Sequence, residues 1–175
     1  TIDLGIEEDP FRLTDSLAIE LCEYVRGTRC HSIPIEEPEE RDKWFGVIPS
    51  KRKKKFVGPR LHFTTTLGGI VDLWLLAPGA LHDLTPTPEL MLTYHDKLAI
   101  GDKAYNDADL EADLRREQNV LLCPLRRKNQ KTQWSEAIAY ALQKARRLIE
   151  TAGSVLTTVF RLNHPGARSW SGVIA

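Results

Sequence analysis

The chain has 175 residues, enough for one domain with a sizeable core, and its 42% hydrophobic and 27% charged residues exclude a disordered or fibrous class. Lys plus Arg and Asp plus Glu both number 24, so global charge selects no partner, and no run has the length of a membrane span or the pattern of a signal peptide. Cys22, Cys30 and Cys123 are too few for a disulfide framework and predict reduced thiols in an intracellular protein; with His31 they lack the C-x-x-C pair and fourth ligand of a structural zinc site.

Charge is clustered rather than spread. Acid collects at Glu7-Glu8-Asp9 and from Glu36 to Glu40, base at Lys51-Arg52-Lys53-Lys54-Lys55 and Arg126-Arg127-Lys128. The start at Thr1 and the closing run Gly172-Val173-Ile174-Ala175 read as cuts within a longer chain.

From Phe11 to Leu21, Phe11, Leu13, Leu17, Ile19 and Leu21 alternate and predict a strand that carries Asp15 on its apolar face. The same stretch also has helical spacing from Ser16 onward, which would make Asp15 a helix cap. Residues 26–59, with their prolines and basic run, read as an irregular insert whose five cations are either a solvated loop or a phosphate contact. Leu61–Leu67 and Ile70–Leu76 around Gly68-Gly69 predict a hairpin. His82 and Asp83 then read as turn and capping residues before a helix from Glu89 to Lys97.

Leu98-Ala99-Ile100-Gly101-Asp102 is an apolar run ending in a carboxylate, the place where open α/β sheets do chemistry. The plainer alternative is that Asp102 starts a turn. Ala108–Gln118 predicts a charged helix and Asn119–Leu125 a second buried strand. From Gln133 to Thr151, Trp134, Ile138, Ala141, Leu142, Ala145, Leu148 and Ile149 trace one helical face, with further helix possible from Gly153 to Phe160 and loop thereafter. Glu150 lies about 140° from the middle of that seam on an ideal wheel, which leaves open a solvated glutamate paired with Arg146.

The order predicts an α/β fold: a mixed five-stranded sheet with helices on both faces, forming a single domain over 1–175, in which the first and fourth strands lie side by side and bring Asp15 to Asp102. Asp15-Ser16, Ile100-Gly101-Asp102-Lys103-Ala104-Tyr105, Leu121 to Arg127 and Arg146-Arg147-Leu148-Ile149-Glu150-Thr151 resemble the successive signatures of DDE transposases of bacterial insertion sequences, which have a ribonuclease H-like catalytic domain. Gln143 and Thr157 stand where many relatives have a tyrosine and a lysine.

The resemblance implies Asp15, Asp102 and Glu150 as catalytic residues holding two Mg²⁺ ions, with Mn²⁺ able to substitute, for DNA strand cleavage and strand transfer. It further implies element ends and target DNA as partners, a homodimer in a full-length nucleoprotein complex, no membrane, and a bacterial cytoplasmic, nucleoid-associated location. Lys51, Arg52, Lys53, Lys54, Lys55, Lys103, Arg126, Arg127, Lys128, Arg146 and Arg147 become candidates for phosphate contact. A ribonuclease H-like nuclease without strand transfer, or an inactive nucleic-acid-binding remnant, are the alternatives.

Overall fold

The computed structural model describes residues 5–35, 38–48, 54–167 and 169–175. In chain order it forms β1 (Phe11–Ala18), β2 (Phe45–Ile48), β3 (Lys54–Val57), β4 (Pro59–Thr65), β5 (Val71–Pro78), α1 (Thr87–Leu90), β6 (Leu98–Gly101), α2 (Ala108–Gln118), β7 (Leu121–Pro124), α3 (Glu136–Thr158) and α4 (Trp170–Ile174). A five-stranded sheet has the order β5-β4-β1-β6-β7. β1 runs parallel to β6 with Phe11 opposite Leu98 and Leu13 opposite Ile100, and β6 runs parallel to β7 with Leu98 opposite Leu121. β4 and β5 form the expected hairpin, closed by Thr66 N–H to Ile70 O at 3.0 Å, so the sheet is mixed.

By internal contacts the chain divides into two compact units, one of Thr1–Asp15, His62–Leu75 and His82–Gly153, the other of Ser16–Leu61, Leu76–Leu81 and Ser154–Ala175. The first has a core of Met91, Tyr94, Ala99, Leu114, Val120 and Leu122. β1 is a strand here and not the start of a helix, and it is buried on both faces, because Arg12, Leu13 and Thr14 are all covered. The Arg12 guanidinium, 2% exposed, is ion-paired to Asp72 at 2.6 Å. It also donates to the carbonyls of Asp9, Phe11 and Ile6 and lies over the Tyr94 ring at 5.2 Å. Tyr94 donates its hydroxyl to the same Asp72 oxygen at 2.8 Å.

That network shortens the helix expected over Glu89–Lys97. α1 stops at Leu90, and the chain tightens into i→i−3 turns, Leu92 N–H to Glu89 O at 3.2 Å and Tyr94 N–H to Met91 O at 3.0 Å, which send Met91 and Tyr94 into the core. α2 matches its expected bounds because it is capped at both ends. Asp107 accepts from Asp109 N and Leu110 N at 3.0 Å each, and Asn119 takes the left-handed conformation (φ 54°) that ends the helix.

In the second unit, the segment expected to be irregular contains an antiparallel ribbon, with Phe45 opposite Val57 and Val47 opposite Lys55. Its short strands hide their apolar residues against Cys30, Ile33, Trp44 and Val57, an association that local periodicity does not show. Gly58 links the ribbon to β4 at φ +148°, where a Cβ would run into the Ile19 carbonyl. Residues 161–175, expected as loop, include α4, whose Trp170 meets Trp44 edge-to-face at 5.4 Å. Cys22, Cys30 and Cys123 are free thiols. Burial, with the Cys30 contact, pushes the Cys22 thiol up to about 12, which makes it a poor thiolate ligand.

Asp72→Ala strands the Arg12 guanidinium without its carboxylate. The expected loss of unfolding free energy is about 3–5 kcal/mol in urea denaturation, and a loss below about 1 kcal/mol would show that the carbonyls and Tyr94 suffice.

Candidate active site

β6 delivers Asp102 at its carboxyl end. The backbone there is extended (φ −78°, ψ −171°), and Asp102 Oδ1 accepts from Ala104 N at 2.6 Å, starting the short 3-10 turn Lys103–Tyr105. The turn-starting role weighed for this residue is therefore present: Oδ1 caps the turn, while Oδ2 lies 3.9 Å from Arg146 Nη2. Tyr105 folds back under the strand end, and its ring occupies the space above Gly101. A Cβ at Gly101 would sit 2.8 Å from Tyr105 Cδ2 and 3.1 Å from Thr14 Cγ2. Glycine is therefore required by close approach and not by its φ.

Asp15 lies on β1 two residues beyond Leu13, as Asp102 lies two beyond Ile100. The β1–β6 pairing runs as far as Leu13 opposite Ile100, so both acids follow the last paired residues by two positions, Asp15 within β1 and Asp102 just past the end of β6. The Tyr105 phenol senses both. Burial pushes it well above its ordinary value of 10.0, the charges of Asp83, Asp15 and Asp102 add to this in that order, and the Thr14 hydroxyl works the other way.

Asp83 and His62 were not recognisable as site neighbours from sequence. His82 is the turn residue expected, accepting from Leu84 N at 3.3 Å, but the Asp83 carboxylate turns inward, with Oδ1 3.9 Å from Nδ1 of the buried His62. The signal available was a histidine inside an apolar strand run, which alone is more often core than site.

Glu150 comes from α3. The apolar seam read from sequence is only partly used: Leu142 and Ile149 are buried, whereas Ile138 and Leu148 are 46% and 43% exposed. The packed face is turned toward Arg146, so Glu150 lies roughly 90° from its centre, at the rim of the contact and not on the far side. Arg146, 35% exposed, bridges the acids: Nη1 is 2.9 Å from Glu150 Oε1 and Nη2 is 3.9 Å from Asp102 Oδ2.

The other cations separate by environment. Arg126 is engaged inside the protein. It makes two 2.6 Å hydrogen bonds to Glu111 and one of 3.1 Å to Asn106, and stacks over Trp134 at 4.8 Å. Those bonds hold both of its terminal nitrogens. Lys103, Arg127, Lys128 and Arg147 are exposed. Lys54 pairs with Glu20 and Lys55 lies over the Tyr24 ring at 4.9 Å, while Lys51, Arg52 and Lys53 fall outside the described residues.

Among the described residues no three His, Cys, Asp or Glu side chains converge as a ready metal cage. The donor chemistry nevertheless suits a hard divalent cation, since Asp15, Asp102 and Glu150 offer oxygen only. No helix among the described residues is long and apolar enough to cross a membrane.

A mixed five-stranded sheet in which β1 and β6 run parallel as neighbours, accompanied by helices, is the α/β architecture of a ribonuclease H-like domain. The chain belongs to the transposase DDE domain family, whose model matches residues 7–170. No curated protein and no solved structure matches the chain. Membership carries transposase function, DNA as partner and the family's general use of divalent metal ions.

Two outcomes are expected of this arrangement. Gly101→Ala displaces the Tyr105 ring and costs about 1–3 kcal/mol of stability, measured by thermal or urea unfolding. Because the folded Tyr105 is held protonated above its unfolded value, its contribution is complete below about pH 10 and declines as pH rises beyond it. In an alkaline absorbance titration Tyr105 should ionise only as the protein unfolds, and Tyr105→Phe should flatten that part of the stability–pH curve.

Proposed function

We propose that this chain cuts and joins DNA strands by phosphoryl transfer at Asp15, Asp102 and Glu150, as the catalytic part of an insertion element's transposase acting in the bacterial cytoplasm. The observation that supports this most is the parallel β1–β6 register, Leu13 opposite Ile100, with Asp15 two residues further on within β1 and Asp102 two residues further on, just past the end of β6. Mg²⁺, with Mn²⁺ as substitute, is the fitting cofactor; two such ions would supply an activated oxygen nucleophile and stabilisation of the leaving oxygen.

The protein's own part is orientation and charge. Ala104 N holds Asp102 before any ligand arrives, and Asp15 is carried on β1, the parallel neighbour of β6. Lys103, Arg127, Lys128, Arg146 and Arg147 offer contacts to the DNA backbone, with Lys54, Lys55 and the adjoining Lys51, Arg52 and Lys53 adding sequence-independent affinity. Two copies acting together on paired element ends fit a reaction that must join two DNA molecules.

Asp102→Asn and Glu150→Gln are each expected to lower Mg²⁺-dependent cleavage by about 100-fold or more while leaving the melting temperature nearly unchanged. Cleavage at the parent rate in either variant would overturn the site. Products in which donor 3′ ends are covalently joined to a target plasmid support transposition, whereas cleavage alone indicates a nuclease. Neutralising Arg127 and Lys128 together should weaken DNA binding and flatten its dependence on salt, read as the slope of log K against log salt concentration.

A further inference from the structure

We propose that Arg146 is the built-in counter-ion of the acidic site, holding Asp102 and Glu150 until a DNA phosphate draws its guanidinium away and frees both acids for a divalent cation. This rests on the carboxylate reading above.

The geometry assigns the role through a division of atoms. Asp102 has Oδ1 committed to Ala104 N at 2.6 Å, so Oδ2 is the oxygen left for a cation, and it is the oxygen that faces Arg146 Nη2 at 3.9 Å. Glu150 Oε1 faces the other terminal nitrogen, Nη1, at 2.9 Å. One planar fork therefore spans two acids supplied by different elements, the end of β6 and the third turn of α3 counted from Leu142. Two carboxylates brought to one place need positive charge between them, and Arg146 supplies it where no metal is bound.

The same placement makes arginine and metal competitors. A cation approaching Asp102 Oδ2 and Glu150 meets the Arg146 guanidinium, 2.9 Å from Glu150 Oε1 and 3.9 Å from Asp102 Oδ2, as a positive charge already beside both. Displacement is feasible, because the Arg146 side chain is 35% and that of Glu150 50% exposed, and partly solvated ion pairs are weak. A DNA phosphate suits the released group, since it presents the paired oxygens that a guanidinium fork binds best. Reciprocity follows: if DNA takes Arg146, DNA tightens metal binding, and metal tightens DNA binding by the same factor. The acids would then be armed mainly on DNA, which limits metal-dependent chemistry in its absence.

The test is a Mn²⁺ titration of the full chain, read by the electron paramagnetic resonance signal of free Mn²⁺, with and without a random-sequence DNA duplex. The parent, Arg146→Gln, Arg146→Lys and Asp102→Asn are compared. The parent should bind Mn²⁺ at least about five-fold more tightly with DNA present. Arg146→Gln should bind it about that much more tightly without DNA and respond little to DNA, and Arg146→Lys, which keeps the charge but loses the fork, should fall between. Parent-like or weaker Mn²⁺ binding in Arg146→Gln, with an undiminished response to DNA, overturns the proposal. If Asp102→Asn binds Mn²⁺ as the parent does, the carboxylate site itself is wrong and the counter-ion role falls with it. If Asp102→Asn loses binding while Arg146→Gln matches the parent, only the counter-ion role fails.

Discussion

The buried pair of Arg12 and Asp72 is the constraint on which the rest of the first unit depends. Taking a guanidinium out of water is costly, and a lone carboxylate rarely offsets the cost. Here Asp72, the carbonyls of Ile6, Asp9 and Phe11, and the Tyr94 ring all converge on it, so few of its donors are left without an acceptor. Such a set tolerates little displacement. It ties β1 to β5 and to the turn that precedes β1, and it draws Tyr94 down from the segment after α1.

Fixing β1 in this way fixes the face on which its later residues stand. Side chains on a strand alternate with a period of two, so a slip of one residue against β6 would turn Asp15 to the opposite face. The site also needs the β6 end to stop in a particular way. Tyr105 reaches back over Gly101, and Asn106 is held by Leu125 O and Arg126, which Glu111 and Trp134 hold in turn. The turn after Asp102 is thereby attached to α2 and to Trp134 in the segment just before α3. Cationic and acidic residues that look like free surface charge thus act as braces around a short strand end.

α3 joins this frame through only two fully buried apolar side chains, Leu142 and Ile149. That narrow contact leaves Arg146 and Glu150 at the rim, partly solvated, where they can pair with each other and with Asp102 and still exchange partners. A more deeply buried pair would be rigid and would resist exchange. The family to which the chain belongs handles polyanionic DNA, and an arginine poised beside acids is suited to respond to it.

What the sequence determined by itself are the features carried by local pattern: apolar strands near 11–21, 98–102 and 119–125, the hairpin around Gly68-Gly69, the helix over 108–118, and an acid just past the end of β6. These follow from periodicity, caps and turns, which neighbouring residues specify among themselves. Tertiary structure alone decided the burial of Arg12, the inward turn of Asp83, the engagement of Arg126, the early stop of α1 and the ribbon within residues 26–59. It also decided which side of α3 is packed, turning the helix toward Arg146 although the apolar residues centre elsewhere. Each of these depends on a partner distant in the chain, and a charged or apolar side chain reads the same in sequence whether that partner is present or not.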